Sequence, residues 1–403
     1  MILIFEMTWS GPTHAPGNSA TIQTIAQAYP RETVRVLADA LHIAALRSDA
    51  ALTAHANVTF QPIAVYPHLF GKTHIVSWGR FRQEFATLRR GLATVPRNER
   101  CLVVLISATP TAILAARWLA KVGPRPGGGR IGVQIGLHGN LNDIDGWRPR
   151  NPLMRAFDLR SALAARYPSM FSFLVLEEGI KLALSEIIPA IADRVQVLPL
   201  PINIAELPGQ HQVHLQPPVR IGLVGQATRA KGIEPFLHIA RDFKARHGSH
   251  VEFVLVGRAV AGSDLSAFGI LEDPVTTDPL PRDEYLSRLA KLHYVFLPLQ
   301  GQYYRLSASG ALLDAITWLK PVIAMRLPIV EALFRRFGDI GYLCDDAQAM
   351  RDSLETAVTT LDAARYQRQA EAMRMVRDSR SPAALAVDYR ATMQQMFPGL
   401  LRE

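Results

Sequence analysis

A chain of 403 residues with 49% hydrophobic side chains is long enough to bury sizeable cores, and two domains of about 150 to 200 residues each are expected. Its formal charge of +9 and pI of 9.7 favour an anionic partner, whether nucleic acid, a membrane surface or a phosphorylated substrate. Two cysteines exclude a disulfide framework, and no apolar run reaches the ~18 residues needed to cross a bilayer. The opening MILIFEMTW has neither the basic start nor the apolar length of a signal peptide, so a cytoplasmic location is expected. Cys101 and Cys344 sit in apolar runs and read as buried, reduced thiols.

In chain order, the first half alternates short apolar runs with amphipathic stretches. MILIFE, VRVLAD, NVTFQPI, CLVVLI, IGVQIGL, FLVLE and VQVLPLP read as strands; residues 19–29, RFRQEFATLRRGL and TAILAARWLAKV read as helices. Continuous apolar strands suit a parallel sheet covered on both faces. Residues 199–218 carry several prolines and little helical period, which marks an interdomain linker. The theme restarts with VRIGLVG, HVEFVLVG, YVFLPL and PVIAM, with helices expected at 232–246, 281–292, 309–318 and 329–337. From residue 346 the chain reads as helical, with a break at Pro382 before a last helix over 383–397. The implied fold is α/β, with two Rossmann-like domains over 1–205 and 206–380 and a terminal helical segment over 381–403.

Chemistry-bearing residues gather in loops after strands. The first strand leads into a loop with Gly11, His14 and Gly17 before a helix that Asn18 or Ser19 could cap. His138 ends the strand IGVQIGL, and Asn140, Asp143 and Asp145 follow it, where a neutral imidazole could bond a substrate and one acid could serve as general base. Asp143 and Asp145 spell Asp-x-Asp, but they lie outside the domain expected to hold a phosphate donor, and no metal site is expected there. Arginines crowd residues 80–166, forming either a solvated face or a membrane-facing lobe. No nucleic-acid module accompanies them.

In the second half, GLVGQATRAKG places Gly225, Gln226, Arg229 and Lys231 in a strand-to-helix loop, and Gly257 ends the next strand. Tyr303 and Arg305 precede a small-residue helix start at Ser309 and Gly310, whose amides could meet a phosphate. Asp314 lies one turn inside that helix, where a carboxylate could meet ribose hydroxyls, and Leu319 to Val322 spell LKPV.

This arrangement resembles GT-B glycosyltransferases of the family 4-like, group 1 class, which carry a strand ending in "VGR", then "KG", and later an acidic helix followed by "GKPV". The resemblance implies two parallel sheets facing across a cleft, a terminal helix crossing back to the first domain, and transfer of a sugar from a nucleotide donor without metal or other cofactor. The first domain would bind a carbohydrate or lipid-linked acceptor, with peripheral contact at the inner face of a membrane; the second would bind the donor. Lys231 matches the family cation in spacing. The family Arg falls on Gln226, so its charge is absent or has moved to Arg229; the first family acid falls on Leu306. Those departures keep two other readings open, a GT-B protein that binds nucleotide sugar or a partner without catalysis, and a GT-B nucleotide-sugar epimerase.

Overall fold

The computed structural model describes residues 1–65, 77–122, 129–139, 141–146, 148–204 and 214–402. The chain divides into two compact units, one of residues 1–206 and 380–403, the other of residues 207–379.

In the first unit the elements run β1 (Ile2–Glu6), α1 (Ala15–Ala28), β2 (Val34–Ala38), α2 (Ala40–Arg47), α3 (Ala50–Thr53), β3 (Val58–Pro62), α4 (Trp78–Ala93), β4 (Cys101–Ser107), α5 (Pro110–Val122), β5 (Ile131–Gly136), α6 (Leu159–Leu163), β6 (Phe171–Val175), α7 (Glu178–Ile187) and β7 (Val195–Val197). All neighbouring strands are parallel in the order β3-β2-β1-β4-β5-β6-β7, so the strand order reverses between β1 and β4. Ile2 to Phe5 and Cys101 to Leu105 are buried on both faces of the sheet, which is why they read as unbroken apolar runs.

The second unit runs β8 (Val219–Ala227), α8 (Ile233–His247), β9 (Val251–Ala259), α9 (Arg282–Ala290), β10 (Tyr294–Leu297), α10 (Gly301–Tyr304), α11 (Gly310–Thr317), β11 (Val322–Met325), α12 (Pro328–Phe337), β12 (Gly341–Cys344), α13 (Ala347–Thr359) and α14 (Ala363–Ser379). Its parallel sheet has the order β12-β11-β10-β8-β9 and reverses between β8 and β10. Phe236, Phe243, Phe253 and Phe296 anchor a core between α8 and one face of the sheet. Both cysteines are buried and unbridged.

The chain leaves the second unit at Ser379, and α15 (Pro382–Met396) belongs to the first, where Leu385, Tyr389 and Met393 join the core around α1. The Tyr389 hydroxyl donates to Gln134 Oε1 at 2.7 Å, and Arg390 donates to the Ala28 carbonyl at 2.7 Å. No helix among the described residues is long and apolar enough to cross a membrane.

One expectation needs correction. Helix α1 begins at Ala15, and neither Asn18 nor Ser19 caps it. The helix starts directly after His14, which takes a left-handed φ of 60°, and Pro16 sits in its first turn, where a missing N–H costs nothing. Asn18 and Ser19 lie inside the helix, buried, with side chains bonded to Glu6 and Asp49.

Candidate functional site

In open parallel sheets, ligands bind beyond the carboxyl ends of strands where the strand order reverses. In the second unit that point lies between β8 and β10, and the two loops leaving these strands carry most of the residues singled out above. The loops are fastened together: the Gln300 amide donates to the Ala230 carbonyl at 3.1 Å, and Gly232 packs so closely on Pro298 that a Cβ would fall 2.4 Å from its carbonyl oxygen. With φ of 76° as well, Gly232 is a position where only glycine fits.

Lys231 folds back over the end of β8. Its ammonium donates to the Val224 carbonyl at 3.1 Å, and a Cβ on Gly225 would meet Nζ at 2.2 Å. Burial lowers the Lys231 pKa, and the nearby Asp314 charge opposes that shift. Ser309 caps α11 through its Oγ, which accepts from the Leu312 amide, while the Cβ position of Gly310 faces open space. The helix start is therefore ordered yet uncovered on that side.

Asp314 accepts a hydrogen bond at Oδ2 from the Tyr285 hydroxyl at 2.6 Å. Burial raises its pKa, against that bond and the charges of Arg282 and Lys231. Tyr285 is held protonated by its own burial and by the Asp314 charge, so it stays a donor. The set is a cation on the loop after β8 and, on α11, a helix start and a carboxylate.

Arg229 is 79% exposed and forks onto Glu234 at 3.2 and 3.3 Å, pointing its charge at a surface partner. The expectation that it takes over the missing cation finds no support in that geometry. Register supplies another: in the parallel pair β8 and β9, Gly225 lies opposite Gly257 and Gln226 opposite Arg258. Aligned residues in parallel strands share a face, so Arg258 stands beside Gln226 at the strand ends. Gly257 is forced to be glycine, since a Cβ would fall 2.0 Å from the Gly225 oxygen. Tyr303 is 47% exposed, with its ring edge-on to Tyr304 at 5.0 Å, and Arg305 is exposed next to it.

In the first unit, the order reversal lies between β1 and β4, and the loop after β1 is held by a buried polar chain. Glu6 Oε1 accepts from the Thr8 and Trp9 amides at 2.7 and 3.0 Å, and its Oε2 accepts from Asn18 at 3.1 Å. Asn18 also contacts His42 Nε2 at 3.0 Å, and His42 Nδ1 lies 2.8 Å from the Gly11 carbonyl. A ring nitrogen facing a carbonyl must carry the proton, so His42 is the Nδ1–H tautomer. Burial raises the Glu6 pKa to about 7. On the same loop His14 packs against Trp9 at 4.4 Å and edge-on against His138 at 4.9 Å. Burial and the neighbouring His14 lower the His138 pKa to about 4, keeping it neutral. Gly17 lies in the first turn of α1 against Leu200.

Asp143 is exposed in the 3-10 turn Leu141–Asp145, and its carbonyl accepts from Gly146 as a turn residue's does. Asn140 and the Asp145 side chain lie outside the described residues. Among the described residues, no group of three His, Cys, Asp or Glu side chains is placed to hold a metal ion. A broad pocket lined by Pro217, Arg220, Glu252, His293 and Trp318 opens at the amino ends of β8 and β9, the opposite end from the chemistry described here.

No family model matches this chain, and no curated protein sequence matches it. Solved structures do, over nearly its whole length. A glycosyltransferase from Rickettsia africae aligns over 99% of this chain and 98% of its own with TM-score 0.60 and 12% identity. Anabaena HepE in complex with UDP aligns over 98% and 99% with TM-score 0.58 and 15% identity. WaaG, a glycosyltransferase involved in lipopolysaccharide biosynthesis, aligns over 99% and 100% with TM-score 0.58 and 14% identity. The fold is GT-B. In this GT-B chain the sequence missed Tyr285, Arg258, Glu6 and His42. Arg258 had a signal, since VGQA ending β8 and VGRA ending β9 are near-copies in aligned register. Tyr285 had none, being 29 residues from the carboxylate it binds.

Proposed function

We propose that this chain is a glycosyltransferase whose second unit holds a nucleotide-sugar donor and whose first unit presents an acceptor hydroxyl, in the assembly of a polysaccharide or glycolipid. The observation that carries the reading is Lys231, folded over glycine backbone at the reversal between β8 and β10 with Asp314 in its field. Two adjacent phosphates need compensating cations in a site that excludes water. Lys231 and Arg258 provide them, and the α11 start adds amide dipoles. Asp314, oriented by Tyr285, takes the ribose hydroxyls. HepE, bound to UDP in one structure and UDP-glucose in another, lends support through shared fold.

Transfer then needs charge stabilisation of the leaving diphosphate and an oriented acceptor. His138, neutral and set by His14, is suited to hydrogen-bonding a hydroxyl; an imidazole with a pKa near 4 is too weak a base to take its proton fully. A second reading, binding without transfer, draws on Gln226 and on Leu306 in place of an acid; a nucleotide-sugar epimerase is a third.

Calorimetric titration with UDP, GDP, ADP and their common sugars tests the donor site, followed by turnover with and without acceptors. Saturable binding that Lys231→Ala weakens by about 1.5 to 3 kcal/mol, and Arg258→Ala by a similar amount, is expected for charged phosphate contacts. Binding without turnover selects the non-catalytic reading, and sugar consumed without acceptor selects the epimerase. Failure of the whole panel to bind sinks the proposal.

A further inference from the structure

We propose that the cavity at the amino ends of β8 and β9 is an effector site for a flat, uncharged ring compound, coupled to Asp314 through α9 and α11. The cavity stands apart from the proposed donor site; only its effect on the donor rests on that reading. Its volume is about 880 Å³, within the range of about 300 to 1,000 Å³ usual for small-molecule sites. On α9, Asp283, Leu286, Ser287 and Ala290 line it at spacings of three, one and three, which is one stripe of the helix. Pro217, Pro218 and the Trp318 indole add apolar ring surface, against which a flat ring buries the most area.

The charged side chains of the wall come as opposite pairs. Arg220 is held between Glu252 at 2.8 Å and Asp273 at 3.5 Å, and Lys291 and Asp283 are exposed at opposite ends of α9. His293 adds no charge: its Nδ1 accepts from the Arg220 amide at 2.9 Å, its Nε2 donates to the His214 carbonyl at 3.0 Å, and burial lowers its pKa to about 4. With the cations matched by acids, an anionic ligand would leave water for no compensating charge, which favours an uncharged one. Two bonds tie this wall to Asp314. Tyr285, which precedes Leu286 on α9, donates to its carboxylate at 2.6 Å, and the Trp318 amide donates to its carbonyl at 3.0 Å. A ligand packed on α9 and Trp318 therefore favours the arrangement that holds Asp314, and by linkage a nucleotide that uses Asp314 favours the ligand to the same degree.

Fluorescence titration of the full chain with N-phenyl-1-naphthylamine, an uncharged ring probe, tests the site, with the anionic anilinonaphthalene sulfonate as comparison. Saturable one-to-one binding of the uncharged probe is expected, with the sulfonate about fivefold weaker or more. Ser287→Trp, at an exposed position, and Ala290→Trp should each fill the cavity and lower probe affinity about tenfold or more, with circular dichroism unchanged. Saturating UDP should tighten the probe about fivefold, and Tyr285→Phe should remove that effect while leaving probe affinity within about twofold. No saturable probe binding, binding undiminished in both folded cavity variants, or a sulfonate that binds as tightly would overturn the site. UDP that binds yet leaves probe affinity unchanged would overturn the coupling, whereas probe binding without UDP binding would uphold the cavity and count against the donor reading alone.

Discussion

Glu6 carries a carboxyl 1% exposed at the end of a strand, and burial raises its pKa from 4.5 to about 7. The fold therefore prefers it protonated, so its contribution to stability is complete below about pH 4.5 and is lost as pH rises through about 7. Glu6→Gln removes the titration, and the change in unfolding free energy between about pH 5 and pH 8 should shrink by about 2 kcal/mol, read by urea melts at the two pH values. His138 titrates in the opposite sense. Its folded pKa lies near 4, below the ordinary 6.5, so its share of stability is present above about 6.5 and is lost as pH falls toward 4. His138→Asn should flatten that acid limb in melts and lower turnover at least tenfold while changing donor affinity less than threefold. Equal losses of turnover and of folded protein would make His138 structural. His138 and Asp314 stood out from position along the chain. Their present states did not, because desolvation, Tyr285 and His14 act on them from distant parts of the sequence.

At the scale of elements, most strands were legible because a sheet covered on both faces needs short, uninterrupted apolar runs rich in β-branched residues, which CLVVLI and VRIGLVG are. The start of α1 was not, since Asn18 and Ser19 are good caps whose side chains are spent on Glu6 and Asp49. The loop after β8 was legible as a phosphate motif only to its spacing. That Lys231 turns back over Gly225 depends on Gly232 reaching Pro298 of another strand's loop. Gly225→Ala puts a methyl where the ammonium sits and adds strain at φ of 92°, so donor affinity should fall at least tenfold by calorimetry, with unit two still folded. Unaltered affinity would place the donor phosphates away from Lys231.

For the whole molecule, the path of the last helix matters most. Residues 380–403 complete the first unit although 173 residues of the second intervene between it and Glu206. The buried Arg380 guanidinium bonds both oxygens of Glu177, at 3.0 and 3.3 Å, just before α15. Arg380→Ala leaves that carboxylate buried and unpaired and should destabilise the first unit by about 3 kcal/mol, visible as a separate early transition in calorimetric melts. A single unshifted transition would show that the pair is dispensable. By itself, the sequence determined the alternation of strands and helices, the pause near residues 199–218, the positions of Lys231, Ser309 and Asp314, and the cationic excess, because each is a local pattern of hydrophobicity, spacing or charge. The tertiary structure alone decided the strand order and its reversals, the pairing of Gln226 with Arg258, the Tyr285 bond to Asp314, the Glu6 chain and the place of α15. These depend on groups far apart in sequence meeting at a few ångströms, where burial and contact, not composition, set what each side chain can do.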